Sequence, residues 1–221
     1  MMIKALIFDL DGTLLDTLDD LSDSMNLALQ QMNFPTHDRL RHKSFIGNGI
    51  EIFASRALPE KARDEKTILR CVEFFNVEYH RRYNKKTLPY GGLNEVLKNL
   101  MALDLPLAVL SNKTDSFTKL MVKEFFPEIN FSFICGSLPH VPKKPHPQAA
   151  LELASQLNLA PANILFIGDS TVDIQTAKNA GMIPLGVTWG FRSFEELKKE
   201  GAQFIINAPS ELIPIMTITN K

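Results

Sequence analysis

Near its N-terminus the chain reads Ala5-Leu6-Ile7-Phe8-Asp9-Leu10-Asp11-Gly12, in which four apolar residues are followed at once by an acidic turn. A short, continuous apolar run that ends abruptly is typical of a parallel β-strand buried on both faces. Similar runs lie further along the chain, at residues 106–110, 131–135, 164–167, 183–187 and 204–206. Amphipathic helical stretches lie among them, at residues 93–103, 117–126, 147–157, 174–180 and 194–199. This alternation predicts an α/β fold with a doubly wound parallel sheet.

A different pattern fills residues 17–88, where apolar residues recur with helical spacing and no clear strand is visible. The cluster Pro89-Tyr90-Gly91-Gly92 then marks a turn, after which strands and helices alternate again. We therefore expect two domains. An α/β core would comprise residues 1–16 and 89–221, and a helical domain of residues 17–88 would be inserted into it.

The composition is that of an ordinary globular protein, since 45% of the 221 residues are hydrophobic and 22% are charged. A net charge of -1 gives no sign of the strongly basic face that nucleic-acid binding usually requires. No apolar stretch is long enough to predict a membrane span, so we expect no membrane partner. The two cysteines, Cys71 and Cys135, do not form a disulfide framework, which favours a reducing compartment. We expect a cytoplasmic monomer or homodimer.

Two aspartates, Asp9 and Asp11, follow the first predicted strand and precede a glycine turn. This pair suits a reaction in which one carboxylate is an ionised nucleophile near a cation and the other is a protonated donor to a leaving oxygen. The same pattern also fits a strand that simply ends in a turn with solvated acids. In open α/β sheets, ligands bind beyond the carboxyl ends of the strands, so polar residues at other strand ends are expected nearby.

Polar residues of this kind follow the later strands. Ser111 and Asn112 come directly after residues 106–110, where a hydroxyl and exposed backbone N–H groups can bind an anion. Serine and asparagine are equally suited to cap a helix, so this motif alone decides nothing. Lys144 precedes Pro145, and its ammonium can balance both crowded carboxylates and a transferring phosphoryl group.

Asp169 and Asp173 follow the strand predicted at residues 164–167 and lie four residues apart. At a turn from strand to helix, both carboxylates can point into one site. Hard oxygen ligands of this kind suit Mg²⁺, which prefers octahedral oxygen coordination. The alternative is an acidic helix start, which the helix dipole favours without any metal.

These motifs, in this order, resemble those of the haloacid dehalogenase superfamily of phosphatases. The resemblance extends over nearly the whole chain and implies a Rossmann-like core with an inserted helical cap domain. It implies that Asp9 attacks phosphorus, that Asp11 protonates the leaving oxygen and then activates water, and that Lys144 neutralises charge. It also implies a set of ligands for Mg²⁺, namely Asp9, the backbone carbonyl of Asp11 and Asp169, with Asp173 supporting the metal or the lysine.

The same resemblance assigns the residues that bind the phosphoryl oxygens. These are Thr13, Ser111 and Asn112, the last through its backbone. The implied partner is a small-molecule phosphate ester, and the implied cofactor is Mg²⁺.

A loop in the helical region, Phe45-Ile46-Gly47-Asn48-Gly49-Ile50-Glu51, resembles a Val-Gly-Asn-Gly loop of phosphoglycolate phosphatases, with Ile46 in place of the valine. Glycines allow close backbone approach to a ligand, so Gly47 and Asn48 are expected to bind substrate. If this resemblance reflects function, it favours hydrolysis of 2-phosphoglycolate. The alternative explanation of the loop is a plain turn between two helices.

Other functions remain open at this point. A pyrophosphate or nucleotide hydrolase and a sugar-phosphate phosphatase would carry the same core motifs. A phosphomutase of this type carries Glu-Asp where this chain has Gly168-Asp169, and a dehalogenase lacks the acid present here as Asp11. A binding protein that has lost its chemistry is disfavoured because the whole residue set is intact.

Overall fold

The computed structural model describes residues 2–219, with side chains described through residue 216. Its contacts divide the chain into two compact units. The first unit comprises Met1–Leu15 and Pro89–Lys221, and the second comprises Asp16–Leu88.

The strands are short and lie mostly in the first unit. In chain order they are β1 (Ala5–Phe8), β2 (Leu15–Asp16), β3 (Leu88–Pro89), β4 (Leu107–Thr114), β5 (Phe131–Ser137), β6 (Ile164–Gly168), β7 (Ile183–Val187) and β8 (Phe204–Ile206). Six of them form one sheet in the order β5-β4-β1-β6-β7-β8, and the neighbouring strands in it are parallel. Strands β4 and β5 lie on one side of β1, and the later strands β6, β7 and β8 lie on its other side. The predicted doubly wound α/β fold is therefore confirmed.

The helices alternate with these strands. In chain order they are α1 (Leu18–Gln31), α2 (Arg39–Phe45), α3 (Ile50–Ala57), α4 (Glu65–Arg82), α5 (Leu93–Met101), α6 (Asp115–Phe125), α7 (Gln148–Gln156), α8 (Thr171–Asn179), α9 (Phe194–Glu200) and α10 (Leu212–Thr219). Short 3-10 helices lie at Glu60–Ala62, Pro161–Asn163 and Pro209–Glu211. Among the helices of the described chain, none combines the length and apolar character needed to cross a lipid bilayer.

The core of the first unit explains why its central strands are continuously apolar. Every residue of β1, β6 and β7 is buried, because these strands are covered on both faces. Buried side chains of β1, β4 and β6 pack with α7 and α8 in a single apolar cluster that includes Ile7, Leu153, Phe166 and Ala177. This packing fixes the strands whose carboxyl ends carry the polar motifs.

Several elements differ from the sequence prediction, including β5, which continues to Ser137, and α8, which begins at Thr171. The prediction that the strand at residues 106–110 ends before Ser111 was wrong, because β4 continues to Thr114, which pairs with Ser137 of β5 after a register irregularity. Hydrophobicity marks where a strand is buried, whereas backbone pairing continues into its polar end. Helix α10 was not predicted, since its nearly continuous apolar sequence, which includes Pro214, shows no helical periodicity.

The second unit contains α1 to α4, and its helical character was predicted from periodicity. Helix α1 contacts α4 most extensively, with Met25 and Cys71 among the residues that are fully buried between them. Asp38 and Asp64 cap α2 and α4, where each carboxylate accepts a backbone N–H of the first turn. The short helices α2 and α3 lie between these two and were not separately predicted.

Candidate active site

Three neighbouring strands end at the same edge of the sheet. Strand β1 pairs with β4 through Phe8 and Val109, and with β6 through Phe8 and Ile167. Asp9 follows β1 directly, and Asp169 follows β6 directly. The order of strands reverses at this point, which is where open α/β sheets bind their ligands.

Lys144 lies between two of the aspartates. Its Nζ is 2.9 Å from Asp9 Oδ1 and 2.6 Å from Asp173 Oδ1, and the residue is only 6% exposed. A buried ammonium is tolerated when it is paired, and here two carboxylates compensate it. The structure thus brings Lys144 together with Asp9 and Asp173, as expected from the sequence.

The aspartates outnumber the cation that faces them. Asp9, Asp169 and Asp173 are buried and offer carboxylate oxygens that all lie within 4.8 Å of one another; we name these three residues the acidic cluster. Burial raises the pKa of Asp9 to about 7, against the opposing effect of Lys144. Burial and then the charges of Asp173 and Asp9 raise the pKa of Asp169 well above its usual range. The acidic cluster therefore lacks part of the positive charge that would stabilise three ionised carboxylates.

The pKa of Lys144 shows the complementary effect. Burial by itself favours the neutral amine, but the charges of Asp173 and Asp9 outweigh it and raise this pKa above its usual range. Lys144 is therefore a fixed positive charge at any ordinary pH.

The acidic cluster fits a divalent cation on structural grounds. Asp9 Oδ1 is buried, and apart from its ion pair with the Lys144 ammonium it has no hydrogen-bond partner among the residues that the structure describes. A buried acceptor without a hydrogen bond is costly unless another group supplies the missing interaction. Several carboxylate oxygens at short mutual distances form the hard donor set that Mg²⁺ prefers.

Asp169 is held in place by two donors from other parts of the chain. The Thr13 hydroxyl donates to Oδ1 at 3.1 Å, and the backbone N–H of Phe191 donates to Oδ2 at 2.7 Å. Glycines make room for this carboxylate. A Cβ on Gly12, where φ is +89°, would lie 2.4 Å from Asp169 Oδ2, and one on Gly190 would lie 2.3 Å from Asp169 Cβ.

Asp173 has two partners on its two oxygens. Oδ1 contacts the Lys144 ammonium, while Oδ2 accepts from the Ser170 hydroxyl at 2.6 Å and from the Ser170 backbone N–H at 3.1 Å. Ser170 in turn caps α8 by accepting from the backbone of Asp173. Asp173 therefore belongs to the helix cap and to the acidic cluster at once, and its part in a metal site stays a prediction.

The side chain of Asn112 holds the backbone of Lys144. Its amide Nδ2 donates to the Lys144 carbonyl at 2.9 Å, and its Oδ1 accepts from the Lys144 N–H at 2.8 Å. The Ser111 hydroxyl accepts from the Lys113 N–H at 3.2 Å. Neither residue caps a helix, since the residue that precedes α6 is Thr114. The side chain of Asn112 thereby positions a charged neighbour.

Asp11 contacts a lysine whose role the sequence did not indicate. The Lys113 ammonium is 3.0 Å from each carboxylate oxygen of Asp11. Lys113 directly follows Ser111 and Asn112 in the sequence. Its position just after a predicted strand was the one feature that could have indicated a role in the site. Phe191 and Gly190 were also missed as partners of Asp169, because they act through a backbone N–H and through the absence of a side chain.

The predicted cap-loop residues lie in the second unit. Gly47 and Asn48 connect α2 to α3, and the neighbouring Gly49 precedes α3. Gly47 and Gly49 have φ values of +123° and +89°, which glycine adopts readily. This explains both glycines as requirements of the turn, and a role of Gly47 and Asn48 in substrate binding stays a prediction.

Comparison with known proteins agrees with this geometry. Residues 6–187 match the family model of haloacid dehalogenase-like hydrolases. A phosphoglycolate phosphatase of Chromobacterium violaceum is 31% identical over 217 residues, covering 97% of this chain and 96% of that protein. A phosphoglycolate phosphatase of Vibrio vulnificus is 30% identical over 224 residues, covering 98% of this chain and 97% of that protein.

A solved structure supports the same relationship. The crystal structure of a protein from Lactobacillus delbrueckii subsp. bulgaricus, provisionally assigned as a phosphoglycolate phosphatase, superimposes with a TM-score of 0.90 at 32% sequence identity. The match covers 98% of this chain and 99% of that one. The resemblance identified from the sequence motifs is therefore confirmed, and this chain belongs to the haloacid dehalogenase-like hydrolase family.

Proposed function

We propose that this protein is a Mg²⁺-dependent phosphatase that hydrolyses a small phosphomonoester, most favourably 2-phosphoglycolate, through an aspartyl-phosphate at Asp9. The observation that carries the proposal is the acidic cluster with Lys144 in contact with two of its members. Burying several like charges lowers the stability of a fold, so stability does not explain the arrangement. Such clusters of buried titratable groups are typical of active sites.

The residues suited to hold the metal are Asp9, Asp169 and the backbone carbonyl of Asp11, with Asp173 supporting them. When bound there, Mg²⁺ supplies positive charge that stabilises both the nucleophilic carboxylate and the phosphoryl oxygens. The buried Asp9 Oδ1, whose partner among the described residues is the Lys144 ammonium, supports this assignment because it can accept a further positive charge.

In the first step, a carboxylate oxygen of Asp9 forms a bond to phosphorus while the bond from phosphorus to the ester oxygen breaks. The carboxyl group of Asp11 donates its proton to the departing oxygen, which leaves as an alcohol. Asp9 is then an acyl phosphate and Asp11 is a carboxylate. Asp9 suits the role of nucleophile because it is buried at the end of β1 and its contact with Lys144 holds its carboxylate there.

In the second step, a water oxygen attacks phosphorus and the bond from phosphorus to the Asp9 oxygen breaks. Asp11 now accepts a proton from that water, so inorganic phosphate leaves and both carboxyl groups return to their initial states. The same fixed charges serve both displacements. Lys144 remains positive throughout, because the carboxylates of Asp173 and Asp9 raise its pKa.

The phosphoryl oxygens need donors that are already in place. We assign this role to Ser111, to the backbone N–H of Asn112 and to Thr13, which follow the same strand ends. The Thr13 hydroxyl has a single proton, which it donates to Asp169 in the structure, so it must turn away from that carboxylate to donate to a phosphoryl oxygen. Donors fixed before the reaction stabilise the developing charge without reorganisation.

The substrate class rests on the relatives. Two phosphoglycolate phosphatases share about a third of their residues with this chain over nearly their whole length. The loop that contains Gly47 and Asn48 resembles the corresponding loop of that group, and we assign it to substrate recognition.

The test is phosphate release from 2-phosphoglycolate, pyrophosphate, nucleoside monophosphates and sugar phosphates, each with Mg²⁺ and with EDTA. We expect turnover that requires Mg²⁺ and clearly prefers 2-phosphoglycolate. A preference for nucleotides or sugar phosphates would retain the chemistry and reject the substrate. Release of phosphate from none of them by the folded protein would reject the proposed function.

The nucleophile is tested by the variant Asp9→Asn, compared with Asp104→Asn at an exposed position of the same unit. We expect the first variant to lose turnover while it stays folded, and the second to keep it. In the unchanged protein, acid quenching followed by mass spectrometry should find phosphate on the peptide that contains Asp9. Undiminished turnover by the folded Asp9→Asn protein would refute the assignment.

A further inference from the structure

The ion pair between Lys113 and Asp11 is well defined and largely shielded from water. The Lys113 side chain is 7% exposed and that of Asp11 is 15% exposed, and the ammonium contacts both carboxylate oxygens at 3.0 Å. Lys113 lies near the end of β4, beside the residues assigned to the phosphoryl group. Its ammonium is therefore close to the place where the leaving group of a bound ester would lie.

This pair conflicts with the role assigned to Asp11. To protonate the leaving oxygen, Asp11 must direct one carboxyl oxygen at the ester, but the structure shows both oxygens in contact with Lys113. The pair must therefore separate during each reaction cycle. Separation takes a negative partner away from an almost fully buried ammonium, which is unfavourable unless another negative group takes its place.

We propose that Lys113 is a positioning and specificity-determining residue, whose ammonium moves from Asp11 to a second anionic group on the leaving alcohol of the substrate. The move exchanges one negative partner for another, so the buried charge stays compensated. It also frees Asp11 only when a substrate with the right charge is bound. This inference rests on the proposed phosphatase function and gives its substrate class, a phosphomonoester whose alcohol carries a carboxylate or similar anion.

Lys144 is unsuited to this task. It contacts Asp9 and Asp173 at once and belongs to the fixed charges of the reaction centre. Lys113 contacts the one carboxylate that has to be released during the reaction. Its long, flexible side chain allows the ammonium to change partners while the backbone of β4 stays in place.

The test compares 2-phosphoglycolate with 2-hydroxyethyl phosphate, in which a neutral hydroxymethyl group replaces the carboxylate. The unchanged protein should prefer the charged ester in kcat/KM. We expect Lys113→Met to reduce this preference at least tenfold, chiefly by raising KM for the charged ester, as expected when a charged contact to substrate is lost. Lys113→Arg should restore part of it. Lys119→Met, which removes an exposed lysine of α6, is the matched control and should leave the preference unchanged.

Binding gives a second measurement that needs no turnover. In the Asp9→Asn background, calorimetry should show tighter binding of the charged ester, and adding Lys113→Met should abolish this difference. Circular dichroism checks that each variant is folded, and Lys113→Gln replaces Lys113→Met where the latter is not. An unchanged preference in both measurements would overturn the role of Lys113. A binding preference that depends on Lys113 without turnover of any phosphate ester would support Lys113 and reject the phosphatase function.

Discussion

His42 provides a pH-sensitive element in the second unit. It is fully buried, and its Nε2 lies 2.8 Å from the Asn26 side-chain oxygen, which also accepts the backbone N–H of His37. Since that oxygen is an acceptor, Nε2 carries the proton and Nδ1 does not. Nδ1 is buried and has no hydrogen-bond partner within the described part of the chain, and the rings of Phe45 and Phe53 lie edge-on to the imidazole. A proton added to Nδ1 would find no acceptor.

The consequence is a loss of stability in acid. Burial and then the nearby His37 lower the pKa of His42 from 6.5 to about 4. The unfolded chain therefore binds the proton first as the pH falls, so the stabilisation is present above pH 6.5 and is lost toward pH 4. At 1.36 kcal/mol per pKa unit the full effect is about 3 kcal/mol, and the part lost between pH 7 and pH 5 is about 2 kcal/mol.

The assay is urea unfolding at pH 7 and pH 5 for the unchanged protein and for His42→Gln, with amide hydrogen exchange in α1 and α4 to localise the effect. Glutamine does not titrate and can still donate to Asn26. From pH 7 to pH 5, the unfolding free energy of the unchanged protein should decrease by about 2 kcal/mol more than that of His42→Gln. His140→Gln, at an exposed position, is the control. Equal pH dependence in the unchanged protein and in His42→Gln would refute the reasoning.

Three further predictions concern the first unit. Asn112→Ala removes the side chain that hydrogen-bonds the N–H and the carbonyl of Lys144, and should lower the unfolding free energy in urea titrations by about 2–4 kcal/mol. The control is Asn179→Ala, whose lost hydrogen bond is exposed, and it should lower the unfolding free energy by less than about 1 kcal/mol. Gly190→Ala adds a methyl group 2.3 Å from Asp169 Cβ, and should lower the unfolding free energy by about 1–3 kcal/mol and remove most of the phosphatase activity. Gly91→Ala, which places its methyl group in open space, should leave stability and activity unchanged. Mg²⁺ at a hundred times its Kd should stabilise the protein by about 2.7 kcal/mol relative to EDTA, seen as a higher melting temperature, and an unchanged melting temperature would contradict a metal site here.

Much of the fold was predictable because burial leaves a direct mark on the sequence. The strands at residues 5–8, 183–187 and 204–206 were predicted with their observed bounds, since their apolar runs coincide with the buried backbone. The proximity of Asp9 and Asp169 was also predictable, because they follow neighbouring parallel strands whose ends meet at one edge, whereas Lys144 lies in the loop between β5 and α7. Where apolar character and backbone pairing separate, as at the polar end of β4, the same signal failed.

The details of the site were less predictable, because they depend on contacts between distant residues. Lys113 and Asp11 are 102 positions apart, and nothing in their spacing indicates that they form a pair. The two hydrogen bonds from Asn112 to Lys144 likewise join residues 32 positions apart. Sequence patterns show which residue types a reaction requires, whereas the pairing of particular atoms depends on how the strands and loops are packed.

The electrostatics of the site separates the proposed enzyme from a binding protein on the same scaffold. Buried ion groups with excess negative charge destabilise a fold, and apolar side chains of similar size would often be more stable. This chain nevertheless buries Asp9, Asp169 and Asp173 together and holds them with two hydroxyls, two backbone N–H groups and Lys144. A protein that only bound phosphate would need cations and N–H donors, and three clustered carboxylates would repel its ligand. The cost is explained when the carboxylates attract a cation and one of them reacts, which is why the acidic cluster favours catalysis over binding.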